Sequence, residues 1–205
     1  MQHKGRVVFV VFLLAAGLGT AWAQSTATLG SGLRVMQHRA RDQFTEFADM
    51  GLIGQPVGAA VYLGSRYGLH MGAELVRPYL AWVDGEYLES GAARYGFGFS
   101  LGLGTRHNFS DRRFLLASLG LAASGLAIDH EDDARYAYSN WGPGAQAAMY
   151  FRTRHNIYAF AGAGLNYHPD FNPVGNSRYK SGFSGGINLG IAAAAQPRRT
   201  YVAKP

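Results

Sequence analysis

The most regular feature of this chain is an alternation of large apolar residues with small or polar ones. From Tyr95 to Gly104, each odd position is large and apolar or aromatic, and each even position is Gly or Ser. Because successive side chains of a strand point to opposite faces, this pattern predicts a β-strand with one apolar face. The alternation recurs over 57–67, 141–153, 157–168 and 179–191.

Together with the weaker segments, the pattern predicts strands at 28–37, 56–67, 69–83, 93–106, 113–128, 141–153, 156–168 and 180–192. Pro78 removes a hydrogen-bond donor inside the third strand, so we expect a bulge or a local break there. Leu115 to Ile128 is apolar on both parities, but Gly120 and Gly125 favour a strand over a buried helix.

The connections between these strands alternate between long and short. The long ones cover 37–55, 84–92, 129–140 and 169–179, and the short ones lie at 68, 107–112 and 154–155. This order is typical of bacterial transmembrane barrels, in which both ends of the chain are periplasmic and the long loops face outward. It favours an all-β, eight-stranded antiparallel up-and-down barrel over a soluble sandwich. In the first long loop, Phe44, Phe47 and Met50 recur at helical spacing and predict a short helix over the lumen.

Aromatic residues on the apolar parity lie close to the ends of the predicted strands. Those beside the long loops are Tyr95, Trp141, Tyr167 and Tyr179, and those near the short turns are Tyr67 and Phe151. Such placement is typical of the two aromatic girdles of an outer-membrane barrel.

Composition agrees with a barrel in lipid. Charged residues make up only 16% of the chain, against about a quarter in a soluble domain, and Gly is frequent at 28 residues. There is no Cys, so no disulfide holds the fold. The formal net charge is +6, and without Lys4 and Arg6 it would be 6 − 2 = +4, a mild excess. Nucleic acid is an implausible partner for an exported chain.

The first residues have the pattern of a cleaved export signal. Lys4 and Arg6 precede an apolar run from Val7 to Leu18, and Ala21-Trp22-Ala23 supplies the small residues of a cleavage site. We therefore predict a signal peptide at 1–23, a barrel at 24–193 in the outer membrane and a periplasmic tail at 194–205.

Polar and aromatic residues on the non-apolar parity are expected to face the lumen. The candidates are Arg34, Arg66, Glu74, Arg94, Gln146, Tyr150, Tyr158, Asn166 and Asn188. Charges there should pair with one another, because charge on the lipid face is costly. The many glycines of this parity leave either a thin cavity or space that Tyr62, Tyr150, Tyr158 and Phe160 fill.

Catalytic and metal chemistry have little support. Ser139, His168 and Asp170 lie on neighbouring outer loops, but no nucleophile motif accompanies them. The acidic segment 129–133 lacks the spacing of a calcium loop. We therefore expect no enzyme and no catalytic, cofactor or metal site.

Two segments carry a family resemblance. Gly72-Ala73-Glu74-Leu75 follows a tight turn, and the strand from Ile157 to Tyr167 resembles the Tyr-x-Gly-x-Gly-x-Asn-Tyr strand of OmpW-like outer-membrane proteins. The resemblance implies an eight-stranded barrel that passes small apolar molecules through a narrow, hydrophobic lumen.

Two hypotheses for the function remain open. The barrel is either a narrow pore for small solutes, apolar or small polar ones, or a plugged scaffold that displays its outer loops for adhesion. Both place it among outer-membrane lipids. A small solute is a possible partner in the first, and a host or surface ligand bound through loops 38–55, 84–92, 129–140 and 169–179 in the second.

Overall fold

Almost all of the chain that the structure describes is β-strand. The computed structural model describes residues 25–40, 48–88, 93–129, 135–169 and 179–194. The strands are β1 (Ser25–Ala40), β2 (Ala48–Gly64), β3 (Tyr67–Val83), β4 (Glu86–Tyr87), β5 (Ala93–Ser110), β6 (Arg113–Asp129), β7 (Arg135–Arg154), β8 (Ile157–His168) and β9 (Tyr179–Ala194). The predicted signal peptide lies outside the described residues, and so does the predicted tail except for Ala194, which is the last residue of β9.

Eight of these strands form a closed antiparallel ring. Sequential neighbours pair around the barrel, and β1 pairs with β9 as well as with β2, which closes it. The very short β4 forms a small hairpin with the end of β3. Closure pairs the first and last strands, so none of the eight strands of the ring lies at a sheet edge. The predicted eight-stranded up-and-down barrel is confirmed.

The connections follow the predicted alternation. Short turns at 65–66, 111–112 and 155–156 lie at one end of the barrel, and the longer connections lie at the other. These are called the short-turn end and the long-loop end below. No helix of the described residues is long and apolar enough to span a membrane.

Several predicted connections prove too wide. In the predicted loop 38–55, residues 38–40 belong to β1 and residues 48–55 to β2. Residues 107–110 of the predicted turn 107–112 belong to β5, and residues 135–140 of the predicted loop 129–140 belong to β7. Met50 is a fully buried strand residue, so the predicted helix is wrong at that position, while Phe44 and Phe47 lie outside the described residues.

The bulge expected near Pro78 is present. Ile53 of β2 pairs with Leu80 and the next residue, Gly54, pairs with Pro78, so Tyr79 is the extra residue of β3. One inserted residue reverses the face of every later side chain. The buried residues of β3 therefore have even numbers before the bulge and odd numbers, Ala81 and Val83, after it. The bulge therefore adds two apolar side chains to the long-loop end of the lumen.

The outer surface of the barrel is apolar. Leu101, Leu103, Leu119, Leu165 and Ile187 are among the exposed large side chains, each at least 40% exposed. A soluble monomer rarely exposes so continuous an apolar surface, whereas a barrel in lipid requires it. The rings predicted for the girdles also lie exposed on this surface: Tyr67, Tyr95, Trp141, Phe151 and Tyr167. The side chain of Tyr179 lies outside the described residues.

Candidate functional site in the barrel lumen

At the long-loop end, the lumen is filled by an apolar cluster that we call the long-loop plug. Its members are Met36, Ala48, Met50, Leu52, Val76, Ala81, Val83 and Leu126. Met36, Met50 and Leu52 have no exposed surface at all. Gly96 has no side chain here because a Cβ would approach the sulfur of Met36 to 2.8 Å.

At the short-turn end, an aromatic cluster fills the lumen, and we call it the short-turn plug. It comprises Tyr62, Phe114, Leu116, Tyr150, Tyr158, Ala192 and Ala194, with Ala148 and Phe160 packed against it. Phe114 stacks on Tyr150 with ring centroids 4.4 Å apart, and the Arg106 guanidinium lies 3.9 Å from the Phe114 centroid. A Cβ on Gly30 would lie 2.7 Å from the Phe160 ring, so this glycine makes room for a plug residue.

Between the two plugs, the lumen holds a chamber of about 120 Å³. Towards the short turns, the chamber is lined by Leu116, Tyr150 and Phe160. Towards the long loops, it is lined by Arg34, and the next inward residue of β1 is Met36 of the long-loop plug. Nine of the residues that line the chamber are glycines. This volume has room for several water molecules or one small solute.

The charged groups of the chamber wall form a buried ion pair. Arg34 Nη2 donates to Glu74 Oε2 at 2.6 Å, and their side chains are 7% and 15% exposed. The pair joins β1 to β3 across the intervening β2. Burying both charges is costly unless they pair closely, so the two side chains hold each other in place.

Glycines flank both members of this pair. Arg34 pairs with Gly54 on β2 and Gly186 on β9. Glu74 lies between Gly58 on β2 and Gly98 on β5. A Cβ on Gly98 would approach the Glu74 carboxylate to 2.7 Å. The missing side chains therefore give the carboxylate and the guanidinium space to lie along the wall and meet.

A second polar contact crosses the chamber near the short-turn plug. Gln146 Nε2 of β7 donates to His70 Nδ1 of β3 at 2.7 Å, and His70 is only 6% exposed. On the wall, Asn166 Nδ2 donates to Ser184 Oγ at 3.0 Å. The chamber is therefore lined by hydrogen-bonding groups on several strands.

The structure brings most of the predicted lumen residues to the chamber. Those that line it are Arg34, Glu74, Gln146, Tyr150, Asn166 and Asn188. Tyr158 belongs to the short-turn plug. Arg66 lies instead in the exposed bend between β2 and β3, with its guanidinium 5.4 Å from the Tyr67 ring centroid, because β2 ends at Gly64. The Arg94 side chain lies outside the described residues.

Sequence reasoning missed a polar group inside the long-loop end. Ser124 Oγ lies 2.7 Å from His168 Nε2 and 3.3 Å from His38 Nε2, and all three residues are fully buried. The two imidazoles stack with centroids 5.7 Å apart. The hydroxyl can donate to one imidazole and accept from the other, so it joins β1, β6 and β8. His38 fell in a predicted loop, and only its pairing with Met50 reveals its inward position.

The described residues assemble neither the catalytic arrangement considered from sequence nor a metal site. His168 Nε2 contacts the buried Ser124, whereas Ser139 is exposed on the outward face. Asp170 and most of the acidic segment 129–133 lie outside the described ranges. Within these ranges, no group of three or more His, Asp or Glu could hold a metal ion.

Comparison with known proteins identifies the fold. No family model matches the sequence, and no curated protein is significantly similar to it. Solved structures do match. Neisserial surface protein A superposes with a TM-score of 0.52 at 10% identity, covering 82% of this chain and 97% of that one. The fold is that of a small outer-membrane β-barrel.

Two further structures of this kind match this barrel. Outer membrane protein AlkL, solved by solid-state NMR in DMPC bilayers, has a TM-score of 0.52 at 14% identity, covering 86% of this chain and 92% of its own. OprG from Pseudomonas aeruginosa has the same TM-score at 10% identity, covering 86% and 98%. Identities this low establish the fold alone. Membership in the OmpW-like family therefore stays a prediction.

Proposed function

We propose that this protein is an outer-membrane barrel through which small polar solutes pass along a narrow lumen. The observation that carries the proposal is the chamber of about 120 Å³ between the two plugs. A barrel of this size has an interior that side chains can fill completely. Here glycines keep part of it open.

The character of the chamber wall favours polar over apolar solutes. The buried Arg34–Glu74 pair and the His70–Gln146 contact both lie on this wall. An apolar solute would displace water from these groups without replacing its hydrogen bonds. The proposal therefore departs from the apolar, hydrophobic lumen that the OmpW-like resemblance implies.

Passage requires both plugs to open, since each fills the lumen at one end. We expect side-chain rotation to open them, because the plugs consist of side chains on the barrel wall. The rings of the short-turn plug are stacked and stiff, whereas Met36 and Met50 of the long-loop plug are flexible. We therefore expect the short-turn plug to set the rate.

The proposal is tested by refolding the mature chain into liposomes and measuring glycerol-driven swelling. Gly164→Val is the blocking variant, because a Cβ there meets nothing nearer than Gln146 Cβ at 3.3 Å and its side chain enters the chamber. Gly185→Val is the matched control on the outward parity, where a Cβ would lie 3.2 Å from the exposed Leu165. Swelling by the wild type and by the control, but not by the blocking variant, supports the pore.

A plugged scaffold is the second candidate function, and the fully packed plugs favour it. On that hypothesis, the barrel displays its long loops to a surface ligand and conducts nothing. Liposomes containing correctly folded wild type that do not swell, even with Phe114→Ala in the short-turn plug, would favour the scaffold and contradict the pore.

A further inference from the structure

One donor on the chamber wall has no partner within the described part of the protein. Arg34 Nη2 donates to Glu74, but Arg34 Nε is buried and makes no hydrogen bond. A buried donor left unpaired is destabilising, because it has lost its hydrogen bond to water and gained none in the fold. Arg34 is only 6% exposed and lines the chamber, so the group that satisfies its Nε must come from within that space.

The chamber wall carries balanced charge. Of its lining residues, Arg34 and Glu74 are the ion pair, and the other polar members are His70, amides and hydroxyls. An ion of either sign gains no net attraction from a pair whose charges cancel, and it would lose its hydration inside a lipid-embedded barrel. An uncharged solute avoids this cost.

The polar groups of the wall also exclude an apolar occupant. A hydrocarbon would leave Arg34 Nε unpaired, whereas an oxygen atom can accept from it. Gln146 and Asn166 offer amide groups on β7 and β8, which do not pair with β1, and Asn188 offers one on β9, the strand beside Arg34. A solute with several hydroxyl or carbonyl groups can therefore bond to more than one wall of the chamber.

We propose that the chamber is a binding site for one small, uncharged, oxygen-rich solute of about glycerol size, with a solute oxygen accepting from Arg34 Nε. The inference rests on the proposed pore and specifies its substrate class. Gly164 marks the open part of the site. Among the glycines that line the chamber, it is the one at which an added Cβ would have no neighbour nearer than 3.3 Å.

Binding is measured on the refolded mature chain in phospholipid nanodiscs, labelled with ¹⁵N-arginine. The Arg34 Nε–H resonance is assigned by its loss in Arg34→Lys. Glycerol should move this resonance saturably, and sodium acetate at equal concentration should not. Gly164→Val should weaken glycerol binding about tenfold or more, Gly164→Ala should weaken it less, and Gly185→Val should leave it unchanged.

The outcomes separate this inference from the pore itself. A glycerol shift that does not saturate, that persists in Gly164→Val, or that acetate exceeds overturns the binding site, even if liposomes swell. A saturable shift lost in Gly164→Val supports the site, even if liposomes do not swell and the pore fails.

Discussion

Arg34 and Glu74 pair across β2 with Nη2 and Oε2 2.6 Å apart, and each strand position beside either residue is a glycine. The four flanking glycines are Gly54, Gly58, Gly98 and Gly186. A Cβ on Gly58 would lie 2.8 Å from Glu74 Cβ, and a Cβ on Gly98 would lie 2.7 Å from the Glu74 carboxylate. The glycine-rich lumen therefore has a specific role here: it permits one buried ion pair in an otherwise narrow barrel.

The first prediction concerns the energy of this pair. Glu74→Gln or Arg34→Met alone should lower the free energy of unfolding by about 3–5 kcal/mol, because each leaves a buried polar or charged group without its partner. The double variant should cost much less than the sum. Urea unfolding in lipid bilayers, analysed as a double-mutant cycle, measures the coupling.

The matched control is the exposed pair Arg39–Asp49. Its atoms are 3.9 Å apart and its side chains are 57% and 48% exposed. Asp49→Asn should therefore cost under about 1 kcal/mol. Equal coupling energies for the two pairs would contradict the buried assignment of Arg34 and Glu74.

The strand pattern of this chain could be predicted because one face of each strand meets lipid. Outward Leu101 and Leu103 alternate with inward glycines, and that contrast is visible in the sequence. The contrast disappears where the lumen is also apolar. Inward Leu116 and Leu126 of β6 belong to the two plugs, which is why this strand is apolar on both parities.

The apolar lumen is also the reason why the sequence pattern does not reveal the beginning of β2. Met50 and Leu52 belong to the long-loop plug, so residues 48–55 lack a polar inner face and their pattern does not predict a strand. The candidate site was predictable only as a set of inward residues. Which of them meet depends on the register between strands, and a single sequence does not contain the Arg34–Gly54 pairing that brings Arg34 towards Glu74.

The second prediction tests the lipid-facing surface. Leu101 is 40% exposed at the middle of β5, so Leu101→Arg would place a charge in hydrocarbon. The substitution should lower the free energy of unfolding from bilayers by about 2–4 kcal/mol, and Leu101→Met should change it little. On a water-exposed surface, both substitutions would be nearly neutral, and that result would exclude a transmembrane barrel.

The third prediction concerns the buried hydroxyl between the two histidines. Ser124→Ala removes the group that His38 and His168 share, and it should destabilise the barrel by about 1–3 kcal/mol. Ser118→Ala is the control, because Ser118 lines the chamber, where water can replace a lost hydrogen bond. If Ser118→Ala proves as costly as Ser124→Ala, the histidine contact contributes nothing specific.

The last prediction concerns orientation. The barrel has an even number of long strands, so β1 begins and β9 ends at the short-turn end, and we expect that end to be periplasmic. The chain has no native Cys, so single cysteines can be labelled cleanly. Ser139, exposed beyond Trp141 towards the long loops, and Ser110, exposed beside the turn at 111–112, offer two identical Ser→Cys substitutions at opposite ends.

A membrane-impermeant maleimide applied to intact cells should label Ser139→Cys and spare Ser110→Cys. After the outer membrane is permeabilised, both should react, which shows that each cysteine is accessible. Labelling of Ser110→Cys alone on intact cells would mean that the barrel is inserted in the opposite sense. The long loops would then face the periplasm, and a surface ligand would have no access to them. That result would not contradict the pore hypothesis, because a solute can cross the lumen in either orientation. It would contradict the scaffold hypothesis.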